Sequence, residues 1–341
     1  MNSLDQHSDF NLNIATDVSY PIIDVHTTGM IARCIKLSES FGDWESVFNA
    51  ISTKYKTVSS AAVFEPRGGS GSFGAFLFPS IDPSCDYSII FFERRQLLKM
   101  CGHATVCSVI AAQMYSLISL QDGLNEVRVS TAIGVIVLRV QFSSKQKKVL
   151  SVSLQNVPSF VHTSGLSFDY NGVTLPIDVG YGGNFFALVD VTDQISVKKN
   201  NAIVFAELGP KIRDYVNKTV DVKHPDDDQI RGVPLILFYD TKTFSNCVIF
   251  GNSSIDRSPC GSGTSALSSL LHKRGLISTE PYTITSIIGS QFKCKVSETT
   301  VAGKPAIIPT LSATPYLLGY GQLVLQDDDP FQVLALEEPG F

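Results

Sequence analysis

The sequence has little charge and no concentration of either sign. Its 341 residues include 27 Lys and Arg against 32 Asp and Glu, which gives a net charge of −5. The basic residues are scattered along the chain, whereas nucleic acids and anionic membranes are bound by basic patches. We therefore expect neither a nucleic acid nor a membrane as the partner.

The sequence also lacks long hydrophobic runs and a recognisable leader. The apolar stretch "SVIAAQMYSLISL" is too short to span a bilayer and is interrupted by Gln113. The opening "MNSLDQHSDFNLN" has neither the basic start nor the apolar middle of a signal peptide. We predict a cytoplasmic protein of about two domains, with residues 1–18 as a flexible N-terminal tail.

Cysteines are too few, and odd in number, for a disulfide framework. The seven thiols are expected to be reduced. Most free cysteines are small buried hydrophobes, and we assign five to that role: Cys34, Cys85, Cys107, Cys247 and Cys294. The remaining two, Cys101 in "MCGHATVCS" and Cys260 in "PCGSGTSAL", share the local frame Cys-Gly-x-x-Thr.

The first half of the sequence predicts two strands, a helix, further strands and then a second helix, which begins at the first of these motifs. "YPIIDVHTTGMIARCIKL" predicts two strands joined by a turn at Thr28–Gly29, and "DWESVFNAISTKY" predicts a helix capped by Asp43. The runs "AAVFEP", "FGAFLF" and "YSIIFFE" are typical of strands. The helix that follows Cys101 is apolar nearly all round, which predicts a position at the centre of a core.

The second half of the sequence repeats this order. "NFFALVDV", "PLILFYD" and "NCVIFGN" predict strands, and the helix after Cys260 should end at Gly275. Between them, "NNAIVFAELGPKIRDYVNK" is helical but should be kinked or broken at Gly209–Pro210. The repetition predicts two pseudo-symmetric α/β (α+β) halves related by a pseudo-twofold axis.

A cysteine at a helix N-terminus faces unpaired backbone N–H groups and the positive end of the helix dipole. Both favour the thiolate, so the thiol pKa should fall. The N–H groups of Gly102 and His103, and of Gly261 and Ser262, could hold a carboxylate. If the pseudo-twofold axis brings the two helix starts together, the result is an anion cradle between two thiols.

This arrangement suggests racemisation by two bases. A thiolate would remove the α-proton of a bound carboxylate compound on one face while the opposite thiol delivers a proton to the other. The helix starts would stabilise the developing negative charge, and the thiols would titrate as a coupled pair. No metal or other cofactor is required.

Three alternatives remain open from the residues alone. Cys101, His103 and Cys107 could begin a zinc site, although no matching second cluster is evident. A Cys–His hydrolase would use a single nucleophilic cysteine and would leave the second motif unexplained. Both motifs could also be no more than tight strand-to-helix turns.

The sequence resembles the proline racemase family, which includes 4-hydroxyproline 2-epimerases and trans-3-hydroxyproline dehydratases. The matching pieces are "DVHTTG", "FGAFLF", "KMCGHAT", "YGGNFFALVD", "VIFGN" and "DRSPCGSGTSA". The resemblance implies a diaminopimelate epimerase-like fold, in which each half wraps a mostly antiparallel sheet around a central helix. We expect one half from residues 19–158 plus about 312–341, the other from 159–311, and a homodimer.

The resemblance also implies the roles of individual residues. Cys101 and Cys260 would be the acid/base thiols, the four residues after them would hold the carboxylate, and His103 and Asp256 would face the ring nitrogen of an imino acid. Asp256 could otherwise be a simple turn residue. In the family's usual motif a polar, rigid pair follows "HTTG", where this chain has Met30 and Ile31.

Substrate choice within the family depends on a few positions. Dehydratases typically replace the second cysteine, so the presence of Cys260 favours a racemase or epimerase. Phe73 and Phe250 match the two phenylalanines that line the ring pocket of eukaryotic-type proline racemases, although either could be ordinary core. We predict proline as substrate, with 4-hydroxyproline 2-epimerase as the alternative and a dehydratase or a catalytically silent binder less favoured.

Overall fold

The computed structural model describes residues 18–334 except Ser70, Arg95 and Asn252. The predicted tail, apart from Val18, lies outside the described residues, as do residues 335–341 of the predicted first half. The helices are α1 (Trp44–Ser52), α2 (Lys56–Val63), α3 (Gly102–Met114), α4 (Ala202–Thr219) and α5 (Gly261–Lys273). The strands are β1 (Val18–Thr27), β2 (Met30–Lys36), β3 (Phe73–Phe78), β4 (Tyr87–Phe92), β5 (Leu97–Leu98), β6 (Gly123–Thr131), β7 (Gly134–Ser143), β8 (Lys148–Gln155), β9 (Phe160–Tyr170), β10 (Val173–Tyr181), β11 (Phe185–Asp190), β12 (Lys223–His224), β13 (Asp227–Arg231), β14 (Leu235–Asp240), β15 (Ser245–Phe250), β16 (Ser254–Asp256), β17 (Tyr282–Ser286), β18 (Gln291–Val301), β19 (Lys304–Ala313) and β20 (Pro315–Leu325).

Strand pairing repeats once along the chain. In the first half β1 pairs antiparallel with β2, β2 parallel with β3, β3 antiparallel with β4, and β4 parallel with β6. In the second half β10, β11, β14, β15 and β17 repeat the same sequence of antiparallel and parallel pairs. α3 lies before β6, and α5 before β17. The predicted duplication of a mixed α and β unit is confirmed.

Each central helix is enclosed by its own sheet. α3 packs against β1, β2, β3, β8 and β20, and α5 packs against β9, β10, β11 and β19. The two helices also contact each other, and β8 pairs with β19 so that the sheets are continuous. The division of the chain near residues 158 and 312 is consistent with this packing and remains a prediction.

Helix boundaries follow local signals in two cases. The Asp43 carboxylate accepts a hydrogen bond from the Ser46 N–H at 2.7 Å, and the Ser46 side chain completes a capping box. Gly275 takes a positive φ of 68° just after α5, and its N–H donates to the His272 carbonyl. Both predicted ends are confirmed.

Two expectations about local structure were wrong. "AAVFEP" is not a strand, because its first three residues form the last turn of α2, with Val58, Ala61 and Ala62 buried at helical spacing. α4 continues through Pro210, so the predicted break at Gly209–Pro210 is absent. Gly209 lets that helix approach β15, since a Cβ there would lie 2.7 Å from Ile249 Cγ2.

Of the five cysteines assigned to the core, four are fully buried: Cys34, Cys107, Cys247 and Cys294. Cys85 is half-buried instead, because it lies in the turn between β3 and β4 beside Ser84. No helix in the described part of the chain is long and apolar enough to cross a membrane.

Candidate active site

A cavity of about 1260 Å³ is lined by residues from both halves of the molecule. Its walls come from the start of α3, the start of α5, and the ends of β3, β15 and β16. All nine residues that the sequence singled out line it: Phe73, Cys101, Gly102, His103, Phe250, Asp256, Cys260, Gly261 and Ser262. The two repeated cysteine motifs therefore face one space.

Cys101 is the N-cap residue of α3, with an extended backbone (φ −151°). The N–H groups of His103 and Ala104 are near enough to its sulfur to lower the thiol pKa. The His103 Nδ1 lies 3.3 Å from Cys101 Sγ. Helix N–H groups thus converge on this thiol, as the motif predicted, and the imidazole of His103 lies beside it, which the motif did not predict.

Cys260 is the N-cap residue of α5, but its backbone differs, with φ 61° and ψ 117°. A non-glycine residue in this region costs about 1–3 kcal/mol and persists only where its surroundings hold it. The Gly263 N–H and the Ser262 hydroxyl favour the thiolate, the latter with Oγ 3.7 Å from Sγ. The two thiols therefore have similar partners but different backbone conformations.

The predicted fall in thiol pKa is wrong for both cysteines. Burial raises the pKa of Cys101 to about 12 and that of Cys260 to about 12, and the helix N–H groups only partly oppose it. The free energy lost when a thiolate is removed from water is larger than the stabilisation that the N–H groups of one helix start provide. The sequence revealed the helix starts but not the depth at which they lie.

Asp256 acts electrostatically on both thiols and raises the pKa of each. Burial in turn raises the pKa of its own carboxyl group, while hydrogen bonds from Ser258 lower it. The Ser258 N–H and Oγ each donate to Asp256 Oδ1 at 2.8 Å. One buried carboxylate near both sulfurs is suited to pair with a cation in the cavity.

His103 and Phe73 form one wall of the cavity. Their rings meet edge to face, with centroids 4.7 Å apart. Burial lowers the pKa of His103 to about 4, so the imidazole is neutral near pH 7. Its Nε2 is buried with no hydrogen-bond partner among the described residues.

Phe250 ends β15 and lines the same cavity. Met30, at the position where the chain departs from the family's usual motif, is buried and also lines it. An apolar side chain therefore forms part of this wall.

Sequence reasoning gave no role to the paired glycines of "YGGN", which lie against the start of α5. A Cβ on Gly182 would lie 2.2 Å from the Ser262 carbonyl oxygen, so only glycine allows this approach. Asn156 holds the contact by donating from Nδ2 to Gly182 O at 3.1 Å and to Ser265 Oγ at 2.7 Å. In the sequence, two adjacent glycines, which directly follow β10 in the structure, were the feature that could have indicated this close approach.

No group of three or more His, Cys, Asp or Glu side chains in the described ranges is arranged to hold a metal ion. Cys107 of the alternative zinc motif lies on the part of α3 that is fully buried in the core. It therefore does not share the cavity with Cys101 and His103.

Fold and site together define a class of duplicated α+β proteins in which each half contributes a cysteine at a helix start to one cleft. The family model described as proline racemase matches residues 22–333. The chain belongs to the proline racemase family.

Three relatives illustrate the range of similarity. A proline racemase from Clostridioides difficile is 34% identical over 281 residues, which are 80% of this chain and 83% of the relative. A 4-hydroxyproline 2-epimerase from Shewanella loihica is 33% identical over 332 residues, covering 91% and 96%. A hydroxyproline epimerase structure from Agrobacterium vitis with bound trans-4-hydroxy-L-proline has a TM-score of 0.79, 28% identity and coverage of 96% and 97%.

Proposed function

We propose that this protein is an isomerase that interconverts L- and D-proline without a cofactor, using Cys101 and Cys260 as opposed acid and base. The observation that carries the proposal is the convergence of both helix-start cysteines on one cavity, with Asp256 acting on both. Family membership and the named relatives support the reaction class.

The substrate carboxylate would be held by the N–H groups of Gly102, His103, Gly261 and Ser262. The Asp256 carboxylate would pair with the ring ammonium, and the neutral His103 would accept a hydrogen bond from it. One thiolate then takes the α-proton, and the opposite thiol protonates the other face of the carbanion. Because each turnover exchanges the protonation states of the thiols, the enzyme serves both directions.

A 4-hydroxyproline 2-epimerase is the second candidate. The Agrobacterium vitis structure with bound trans-4-hydroxy-L-proline favours it, and the mechanism would be unchanged. Phe73 and Phe250 in the cavity wall favour proline, because an apolar wall leaves a ring hydroxyl without a partner.

The test is a substrate screen followed by chiral chromatography. Purified protein is incubated separately with L-proline, trans-4-hydroxy-L-proline and trans-3-hydroxy-L-proline. Conversion of L-proline to the racemate supports the proposal. If proline is not converted but 4-hydroxyproline is epimerised, the substrate is 4-hydroxyproline and not proline. Loss of water from 3-hydroxyproline would indicate a dehydratase. No turnover of any of the three would indicate a catalytically silent binder.

Two further features remain part of the proposal: a cytoplasmic location and a homodimer. Sedimentation equilibrium of the purified chain distinguishes a dimer from a monomer, and cell fractionation tests the location. A monomeric active enzyme would contradict the homodimer, and recovery outside the cytoplasm would contradict the location.

A further inference from the structure

The peptide bond that precedes Cys260 is held at both ends by side chains. The Pro259 carbonyl accepts hydrogen bonds from Asn246 Nδ2 at 2.8 Å and from Thr264 Oγ1 at 2.8 Å. The Cys260 N–H donates to Ser258 Oγ at 3.0 Å. Because φ measures rotation about the bond between this peptide and the Cys260 Cα, and α5 begins at the next residue, fixing the peptide plane relative to α5 fixes φ.

Both donors to the Pro259 carbonyl are inaccessible to solvent, and Asn246 Oδ1 has no hydrogen-bond partner among the residues described. A buried amide with an unpaired oxygen is unfavourable for folding by itself. Within the described part of the chain, the hydrogen bond of this amide goes to the residue before a cysteine in a strained conformation, with φ 61°. Strain of this kind at a reactive residue is typical of a functional constraint.

The first half of the molecule lacks this arrangement. Thr105 and Thr264 each follow their cysteine by four residues, but Thr105 Oγ1 donates to the Cys101 carbonyl rather than to the carbonyl before it. Ser88, which corresponds to Asn246 in the repeated strand pairing, accepts a hydrogen bond from the Ile81 N–H. Cys101 accordingly keeps an ordinary extended φ of −151°.

We infer that Asn246 and Thr264 are positioning residues for Cys260. By holding the Pro259 carbonyl they keep the Pro259–Cys260 peptide in the orientation that directs the thiol toward the Gly263 N–H and into the cavity. The two bases of the pseudo-symmetric site are thus positioned differently: Cys101 has an extended backbone at the N-cap position of α3, whereas Cys260 is held by a side-chain clamp. This inference rests on the proposed role of Cys260 in catalysis.

Thr264→Val and Asn246→Leu test the inference, with Thr105→Val as the matched control. Thr264→Val and Thr105→Val make the same change at the same distance from the two cysteines, and both side chains are fully buried. We expect kcat for racemisation to fall at least tenfold in Thr264→Val and Asn246→Leu. KM should stay within threefold, because the N–H groups after Cys260 are retained. The control should keep kcat within threefold.

Thiol reactivity separates positioning from general destabilisation. Each protein is treated with iodoacetamide at pH 9, and modified peptides are quantified by mass spectrometry. Trypsin releases Cys260 as the sole cysteine of residues 258–273, whereas Cys101 and Cys107 share residues 100–128 and are separated by fragmentation. We expect Cys260 to react at least fivefold more slowly in the two variants, with Cys101 within twofold of the unaltered protein.

The inference is overturned if folded Thr264→Val retains its kcat, if Thr105→Val loses as much, or if Cys260 reactivity is unchanged. If Asn246→Leu does not fold, the Thr264→Val and Thr105→Val comparison decides alone. If the unaltered protein converts neither proline nor 4-hydroxyproline, the proposed function fails, and the reactivity of Cys260 relative to Cys101 still tests the clamp.

Discussion

At the scale of single residues, the two thiols combine partners that favour the thiolate with burial that opposes it. Each has helix N–H groups near its sulfur, yet each has a pKa of about 12. The ammonium group of a bound substrate would neutralise the charge of the Asp256 carboxylate, which helps to raise the pKa of both thiols. The site is therefore expected to become reactive chiefly when substrate is bound.

Replacing either thiol should nearly abolish turnover. Cys101→Ser and Cys260→Ser each remove one proton-transfer group, and such groups contribute about 10²- to 10⁴-fold in rate. Chiral chromatography of proline measures the loss. Cys85→Ser, at a half-buried cysteine outside the cavity, is the control and should retain full activity. Substantial racemisation by either site variant would contradict the two-base mechanism.

Alkylation of the free enzyme should be slow near pH 7 and accelerate with rising pH. Because burial raises the pKa of both thiols, the thiolate fraction increases tenfold per pH unit throughout the range from 7 to 10. Rates for Cys101 and Cys260 are read from peptide mapping with iodoacetamide. If the alkylation rate reaches a plateau below pH 8, the helix N–H groups affect the thiol pKa more strongly than burial does, which would contradict this prediction.

The aromatic wall should decide between proline and its 4-hydroxy derivative. Phe250→Ser places a hydroxyl group where the cavity is now apolar, so the desolvation cost of a substrate hydroxyl should fall. We expect the ratio of kcat/KM for proline to that for trans-4-hydroxyproline to drop by about tenfold or more. Phe41→Ser, outside the cavity, is the control. An unchanged ratio would mean that Phe250 is ordinary core.

At the scale of elements, the sequence predicted most of the strands and both central helices because each carries a strong local signal. The Asp43 cap, Gly275 and the turn at Thr28–Gly29 were all visible in the residue pattern. The errors arose where tertiary packing outweighs local preference. α4 stays continuous through Pro210 because its buried face packs on β14 and β15.

Gly209→Ala should destabilise the second half through that contact. A Cβ at Gly209 would lie 2.7 Å from Ile249 Cγ2, and overpacking of this kind costs about 1–3 kcal/mol. Thermal or urea unfolding measures the change. Gly42→Ala, where no atom lies within 4 Å of the added Cβ, should be nearly neutral. Equal stability of the two variants would contradict the close approach.

At the scale of the whole molecule, stability should decline as pH rises above about 8.5, the ordinary thiol pKa. Burial raises the pKa of all seven thiols above that of the unfolded chain, and the shift is large at six: Cys34, Cys101, Cys107, Cys247, Cys260 and Cys294. The unfolded state therefore loses protons first, so stability is full below pH 8.5 and is lost above it.

Melting temperatures from pH 7.5 to 10 test this dependence. Cys247→Ala should flatten the alkaline decline by up to about 1.4 kcal/mol per pH unit, the limit for one group. Cys85→Ala should flatten it less, because burial of Cys85 is slight and is partly offset by Ser84. A melting temperature that is constant over this range would contradict the raised pKa values.

The pairing of the two cysteine motifs was foreseeable from their shared frame, and the family resemblance supplied the proposed roles of Asp256 and the two phenylalanines, which remain predictions. The depth of the site, the clamp on Pro259 and the contact of Gly182 with α5 were not. They depend on which strands lie side by side, and that follows from pairing between residues far apart in the chain.

The most direct test of the central claim is incubation of L-proline with the enzyme in D₂O, following α-deuterium by mass spectrometry and configuration by chiral chromatography. Removal of the α-proton by one thiol and delivery from the other predicts that D-proline formed early carries one α-deuterium. Its formation should disappear in both Cys101→Ser and Cys260→Ser. D-proline that retains the original hydrogen, or inversion that survives either substitution, would contradict the account.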